Sequence, residues 1–395
     1  MDTGSVVSHL ACRECGHEFS VDGTAAPCAE CGGIIDPQYD LSDLTLDRST
    51  VATRADTMWR YRELLPIRSK DAIVSMDEGG TPLVSCPTMA DRLGVEELFL
   101  KDEGRNPTNT FKDRGQSAAM SAALEQGAET VALSSAGNAG HSASAYAARA
   151  GLDCHVYLPR QAGNVKQHMV RVHGAELHLV DGKIDDAGAA HAEAVAGTDW
   201  HSVATFQTPF RHEGKKTMGY EIFEALEWAT PTEIIYPTGG GVGLIGIWKA
   251  YQELSSLGWI EGTAPRLTVA QSTGCAPIVR AIDNGDAVHE PWPNPESLAR
   301  GVEIPDPGAS DWILEAVYET DGSGVAVTDD AAINVALDIA RSDGVEMCLT
   351  SAIAMAGAIR RAENGAFDAG DTVVVINTGA GCKTSELLGQ AAASG

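Results

Sequence analysis

Lysine is almost missing from this sequence. Only nine lysines stand among its 28 basic residues, and 55 acidic residues bring the formal charge to −27 over 395 residues. A chain this acidic repels the phosphates of nucleic acids and anionic membranes, so neither is expected as a partner. The acids are spread along the chain and form no tail. That pattern suits a protein kept in solution by concentrated salt, where screening removes the self-repulsion, and a halophilic source is expected. Long apolar runs are missing too, which excludes a transmembrane span. The first ten residues, Met-Asp-Thr-Gly-Ser-Val-Val-Ser-His-Leu, offer no basic region and no adequate apolar stretch, so no secretory signal is expected. Internal repeats and low-complexity tracts are absent. The nine cysteines are an odd number, and Cys86, Cys154, Cys275, Cys348 and Cys382 lie scattered in apolar or Gly-rich contexts, so a reducing cytoplasm is the expected compartment.

The other four cysteines are patterned. Cys12-Arg-Glu-Cys15-Gly and Cys28-Ala-Glu-Cys31-Gly are separated by twelve residues. Two such pairs, each followed by glycine, are the knuckles of a zinc ribbon. Each thiolate pair grips one side of a tetrahedral ion, and the glycine allows the tight turn beneath it. Four thiolates close the coordination sphere, so a structural Zn ion is expected and His17 is not needed as a ligand. The metal would supply folding energy that so short a segment lacks.

Beyond a linker with a helical stretch at 37–75, strand-like and helix-like segments alternate. The apolar runs are Glu97-Leu-Phe-Leu100, Val131–Leu133, His155–Leu158, Glu176–Val180, His201–Ala204, Glu233–Tyr236, Leu267–Ala270 and Thr372–Ile376, with Ala-rich amphipathic segments such as 139–149, 218–228 and 329–341 between them. This alternation predicts an α/β protein with parallel sheets covered on both faces. Residues 291–310, rich in Pro and Gly, predict an irregular loop.

Strand-end loops are where parallel sheets bind ligands, and three polar ones follow strands here. Ser134-Ser-Ala-Gly-Asn-Ala-Gly-His141 puts hydroxyls, an amide and backbone N–H groups at a helix start, a seat for a carboxylate or phosphate as readily as an ordinary capped turn. Thr238-Gly-Gly-Gly-Val-Gly-Leu-Ile-Gly246 contains a formal G-x-G-x-x-G. A dinucleotide fold would want an acid at the end of the next strand, where Gln271-Ser272 stands instead, so NAD binding is disfavoured and a phosphate cradle is left. Asn377-Thr-Gly-Ala-Gly-Cys-Lys383 follows the strongest β run. The fourth feature is Asn106-Pro-Thr-Asn-Thr-Phe-Lys112-Asp-Arg-Gly115, a turn leading into a helix. A lysine at a helix start meets the positive end of the dipole, which disfavours its charged form and favours the nucleophilic amine. One lysine in a rigid turn, two anion seats and a third polar loop suggest a small phosphorylated cofactor held by Schiff-base chemistry.

With these residues the chain resembles the threonine synthase branch of the fold-type II pyridoxal-phosphate enzymes. The likeness runs from about Glu78 to Lys383 and rests on the Lys112 decapeptide, Glu78-Gly-Gly-Thr-Pro-Leu, Gly137-Asn138, Arg211-His-Glu-Gly-Lys-Lys-Thr217 and Gln271-Ser-Thr-Gly-Cys-Ala-Pro277. The ribbon is similar to one ahead of this domain in some members. The resemblance implies a tryptophan synthase β-like fold with two doubly wound parallel-sheet domains. Its division would be a ribbon at 1–40, a large cofactor domain at 41–105 plus 220–395 and a small domain at 106–219. It implies pyridoxal 5'-phosphate as cofactor, with Lys112 as Schiff-base lysine and proton shuttle. Asn138 would face the cofactor's 3-hydroxyl, Gly239, Gly240, Gly241, Val242 and Gly243 would surround its phosphate, and Thr378 would face the ring nitrogen. Ser135 would hold the substrate, and Lys101 and Arg211 would grip the substrate's own phosphate, where bidentate Arg geometry is apt. The chain departs from the family pattern at Ala136, Ala139, Gly240, Cys348 and Ala380. The implied reaction takes O-phospho-L-homoserine and water to L-threonine and phosphate. A threonine or serine ammonia-lyase, or a β-replacement enzyme of the cysteate or cysteine synthase kind, is the alternative within the fold. A ribbon-bearing binding protein with a degenerate enzyme domain is the alternative outside it. A homodimer is expected by resemblance.

Overall fold

The computed structural model describes residues 4–22 and 27–394. Met1-Asp2-Thr3 of the amino-terminal segment read above and residues 23–26 of the ribbon lie outside that range. In chain order the strands are β1 (Val7–Cys12), β2 (Glu18–Phe19), β3 (Ile35–Tyr39), β4 (Leu83–Ser85), β5 (Glu97–Asp102), β6 (Thr130–Ser134), β7 (Asp153–Pro159), β8 (Glu176–Val180), β9 (His201–Ser202), β10 (Glu233–Pro237), β11 (Arg266–Ser272), β12 (Ser323–Val327) and β13 (Thr372–Asn377). The chain forms two compact units, Met1–Gly80 with Lys112–Thr217, and Thr81–Phe111 with Met218–Gly395.

The first unit begins with the ribbon, a three-stranded antiparallel sheet in the order β2-β1-β3. Its interior is Leu10, Cys12, Cys28 and Ile35, with Phe19 against them. A core this small does not hold a fold without a further tie. A four-stranded parallel sheet follows, in the order β8-β7-β6-β9. Helices Lys112–Glu125 and Asn138–Ala150 lie against one another. Residues 41–80, which the sequence reading joins to the larger domain, group here. Met58, Trp59, Leu65 and Ile67 pack into the same core as Ala118, Ala119 and Met120 of helix Lys112–Glu125.

One buried carboxylate organises this unit. Glu78 Oε1 accepts hydrogen bonds from Trp59 Nε1 at 2.9 Å and Ser117 Oγ at 2.5 Å, and Oε2 from Met76 N at 2.8 Å and Tyr146 OH at 2.7 Å. Ser117 and Tyr146 belong to the two helices just named, so Glu78 braces both. The same carboxylate and burial push the Tyr146 phenol well above its ordinary pKa, burial being the larger cause.

The second unit is a six-stranded sheet in the order β12-β11-β10-β13-β5-β4, parallel except for β4 on the edge. Val373–Ile376 of β13 are fully buried on both faces, which explains a continuous rather than alternating apolar run. The expected strand runs fall within strands except His201–Ala204, of which β9 holds only His201 and Ser202. β12 was not legible, because Ser323-Gly-Val-Ala-Val327 is short and carries a glycine. Residues 291–309 are irregular, as their Pro and Gly content predicts. The α/β class with parallel sheets is therefore observed.

Candidate active site

Lys112 is the first residue of helix Lys112–Glu125, and its neighbours are tied down. Asp113 accepts a 2.5 Å bond from Ser142 Oγ, and Arg114 Nη1 donates to Thr217 Oγ1 at 3.0 Å. The helix Phe210–Ala225 comes close to it by way of two glycines. A Cβ on Gly115 would lie 2.7 Å from the Arg211 carbonyl and 3.1 Å from Lys215 Nζ, and one on Gly214 would lie 2.2 Å from the Arg114 carbonyl. The backbones touch because neither position carries a side chain. Arg211 and Lys215 are thereby brought to the Lys112 end of the helix.

Burial lowers the pKa of all three cations, and the charge of Arg211 lowers the two lysines further. Lys112 keeps a partly accessible surface, yet burial, and then the charge of Arg211, lower its pKa to about 7. Roughly half of its amine is neutral at pH 7, where an ordinary lysine is almost wholly charged. Lys215 is pushed well below its usual range by burial, Arg211 and Lys112. Burial lowers even Arg211 to about 10. Arg211 Nη1 donates to the Val203 carbonyl at 3.2 Å and to Thr205 Oγ1 at 3.0 Å, whereas its buried Nε and Nη2 make no hydrogen bond. A buried guanidinium with two idle donors in a positive surrounding is a seat for an anion, and its fork geometry suits a phosphate.

The loop after β6 adds polar groups in the same unit. Ser135 Oγ accepts bonds from Gly137 N at 2.9 Å and Gly140 N at 3.0 Å, so it caps the helix start while its hydroxyl proton is uncommitted by either bond. Asn138 is the first residue of helix Asn138–Ala150, and its buried Oδ1 accepts nothing. Gln116, four residues after Lys112 and hence on the same helix face, is fully buried with both amide atoms unbonded. Lys215 and Gln116 were not singled out from sequence. The signal for Lys215 was present in the Lys-Lys pair of Arg211–Thr217, in a chain that spends lysine sparingly.

The ribbon reaches this helix as well. Asp36 Oδ1 of β3 lies 2.8 Å from His212 Nε2, and the Tyr39 hydroxyl donates to Glu213, whose Oε2 also takes a 2.7 Å bond from Lys216. Lys216 Nζ sits 4.0 Å over the Tyr39 ring. The residues next to Arg211 are therefore gripped by the strand that closes the ribbon sheet.

In the second unit, helix Val242–Ser256 starts immediately after Gly239-Gly240-Gly241, with Gly241 in the left-handed region at φ 68°. A Cβ on Gly240 would meet nothing within 4 Å, so the loop leaves open space beside backbone N–H groups at a helix N-terminus. Thr378, after β13, shares a 3.1 Å hydroxyl contact with Ser351 Oγ, and its carbonyl accepts a 3.1 Å bond from Phe111 N. Ala380 N donates to the Asn109 carbonyl at 3.1 Å. The loop after β13 thus fastens the turn 109–111, from which the chain runs straight into Lys112.

Lys101, expected on the substrate's phosphate, is committed to other partners. Its fully buried ammonium donates to the Thr81 carbonyl at 2.6 Å and to Glu221 Oε2 at 2.7 Å. It neutralises an internal carboxylate.

The four ribbon sulfurs lie within 4.8 Å of one another, with Cys12–Cys31 at 3.5 Å and Cys15–Cys28 at 3.7 Å, and all are thiols. Ligands about 2.3 Å from a tetrahedral Zn ion stand about 3.8 Å apart, so the quartet fits that ion.

Comparison with known proteins agrees with this chemistry. Residues 74–379 match the family model described as pyridoxal-phosphate dependent enzyme. The chain belongs to the pyridoxal-phosphate dependent enzymes. It is 36% identical to the threonine synthase of Methanosarcina acetivorans over 94% of this chain and 91% of that protein. It is 35% identical to that of Methanocaldococcus jannaschii over 94% and 92%, and 34% identical to that of Mycobacterium leprae over 82% and 87%. Among solved structures it is similar to tomato (Solanum lycopersicum) threonine deaminase isoform 2, with TM-score 0.68 and 22% identity over 78% of this chain and 85% of that one. It is also similar to Escherichia coli diaminopropionate ammonia lyase, with TM-score 0.66 and 18% identity over 78% and 85%. At those identities the two structures speak to the fold alone.

Proposed function

We propose that this chain is a pyridoxal-phosphate-dependent lyase of the threonine synthase kind, converting O-phospho-L-homoserine and water to L-threonine and phosphate. The observation that carries the reading is the trio of Lys112 with the buried Arg211 and Lys215, set in a chain that matches threonine synthases over nearly its whole length. The substrate is an amino acid carrying a phosphate, and the idle Nε and Nη2 of Arg211 suit that group. Lys215 takes the second cationic role that the sequence assigned to Lys101.

The bound cofactor would supply an electron sink for carbanions at the substrate's Cα and Cβ. Lys112 would hold it covalently, and Asn138, Gly239, Gly240, Gly241, Val242, Gly243 and Thr378 would contact it. The unbonded Asn138 Oδ1 and the open space beside Gly240 fit such a guest. Thr378 would offer the ring nitrogen a neutral hydroxyl, which does not favour a pyridinium as a carboxylate would. Lys112 Nζ, half neutral near pH 7, accepts the proton leaving Cα and returns one later. Arg211 and Lys215 hold the phosphate and stabilise its charge as it departs from Cγ. Ser135 presents its hydroxyl proton to the substrate.

Incubating the loaded protein with O-phosphohomoserine should release threonine and phosphate in equal amounts. Formation of 2-oxobutyrate from threonine, without phosphate release from O-phosphohomoserine, would select the ammonia-lyase alternative instead. We further infer a structural zinc ion on Cys12, Cys15, Cys28 and Cys31, a cytoplasmic setting consistent with nine thiols, and a homodimer, which light scattering tests. A halophilic habit is supported by the siting of lysine, since of the nine only Lys183 is well exposed and the others are partly or wholly buried.

A further inference from the structure

A cluster in the four-stranded sheet of the first unit serves none of these roles. Strands β7 and β8 pair in parallel with His155 opposite Glu176 and Tyr157 opposite His178. With side chains alternating along each strand, all four project from one face. His155 Nδ1 and His178 Nε2 meet at 3.0 Å. The Glu176 oxygens stand 3.6 Å from His155 Nδ1 and 3.7 Å from His178 Nε2. Those two separations are too long for hydrogen bonds. They are the separations of ligands that share an ion. Donors about 2.1 Å from a common centre lie about 3.0 Å apart at right angles and about 3.6 Å apart at 120°.

The imidazoles are also held in place. The His155 ring stacks on Trp200 at 3.8 Å and 18°, and the His178 ring on Tyr157 at 4.3 Å and 12°. Both nitrogens are thus fixed edge to edge, as the outer supports of a metal site fix its ligands. The carboxylate is 66% exposed and the histidines 16% and 29%, so a hydrated ion has a route in and water can complete the coordination.

We propose that His155, Glu176 and His178 form a second metal site, separate from the ribbon, for a divalent transition-metal ion of the Zn, Ni or Cu class. Two imidazoles and one carboxylate suit those ions, whereas Mg and Ca prefer an all-oxygen shell. Because β8 is the edge strand of its sheet, the bound ion clips that edge to β7. The inference does not depend on the proposed reaction.

The test is a titration of the full-length protein, its ribbon metal in place, with Ni and Cu salts, beside the variants His178→Gln and Glu176→Gln. The wild type should bind one more equivalent of ion per chain than His178→Gln. Losing a ligand costs at least what losing an outer support costs, so affinity should fall roughly 100-fold in His178→Gln and about tenfold in Glu176→Gln. The paramagnetic resonance spectrum of the Cu-loaded wild type should show two nitrogen ligands, and amide exchange along β8 should slow on metal addition. Since the ribbon is identical in all three proteins, its own uptake cancels. Circular dichroism of the variants should match the wild type, because the replaced side chains are partly exposed; if His178→Gln does not fold, His155→Gln takes its place. Equal stoichiometry and affinity in wild type and variant, or a Cu spectrum without nitrogen ligands, would overturn the proposal.

Discussion

Replacing Glu78 by alanine should destabilise the first unit by a predictable amount, because the fate of the donors it serves is visible; Ser75 Oγ, 3.3 Å from Oε2, is partly exposed and can turn to water. Trp59 Nε1 already lies 2.9 Å from Ser117 Oγ, and Ser117 Oγ lies 2.7 Å from the Val74 carbonyl, so both have somewhere to turn. The Tyr146 hydroxyl and the Met76 amide are left without an acceptor. At about 1–3 kcal/mol for each orphaned buried donor, the loss is about 2–6 kcal/mol before any cavity term. That is a large part of the roughly 5–15 kcal/mol by which domains are stable. Glutamine keeps the acceptor facing Trp59 and turns its amide nitrogen towards Tyr146, whose oxygen can accept, so only the Met76 amide is stranded and the cost falls to about 1–3 kcal/mol. Urea unfolding followed by tryptophan fluorescence, at fixed salt and protein concentration, measures both through the midpoint at constant slope. The reasoning is refuted if the alanine variant lies within about 0.5 kcal/mol of wild type, or if glutamine costs as much as alanine.

Other outcomes follow from the same geometry. An amine-directed reagent, scored at Lys112 by peptide mass spectrometry after cofactor removal, should react with a midpoint near pH 7 and not near 10, since the lowered pKa leaves the amine neutral above 7; Arg211→Met should move that midpoint upward. Because the folded-state pKa lies below the unfolded one, Lys112→Met should stabilise the cofactor-stripped protein fully below pH 7, with the gain fading as pH rises towards 10.5. Lys215→Met should raise KM for O-phosphohomoserine at least tenfold, whereas Lys101→Met should show chiefly as lost stability, about 3–5 kcal/mol for stranding buried Glu221; the opposite split would restore the original assignment. Asp36→Ala and Tyr39→Phe, on the ribbon strand, should raise KM more than they lower kcat by loosening the helix around Arg211, and an unchanged KM would deny that coupling. The thermal midpoint should climb between 0.1 and 2 M KCl, and a flat or falling profile would remove the halophilic reading.

Much of the fold was legible because its signals are local. A fully buried parallel strand has to read as an unbroken apolar run, as Val373–Ile376 does, whereas β12, only partly buried at the edge of its sheet and with a Ser-Gly start, carries no such signal. Residues 41–80 were misplaced for the opposite reason. Nothing near Trp59 says that its indole will meet Ser117, 58 positions on, and the hydrogen-bond partner decides the unit to which the segment belongs.

At the site the same division holds. The sequence by itself determined the chemistry that adjacent residues carry: the four-cysteine spacing, the rigid turn into Lys112, the glycine loop before helix Val242–Ser256 and the polar turns at Ser135 and Thr378. Tertiary structure alone decided which charges meet. Lys101 and Lys215 read alike in the chain. One lies 2.7 Å from Glu221 and is spent on neutralising it, while the other comes to Gly115 because two backbones touch where glycine leaves room. A lysine's role depends on the charge that burial sets beside it, and that neighbour is chosen by packing across a hundred residues rather than by the pattern around it.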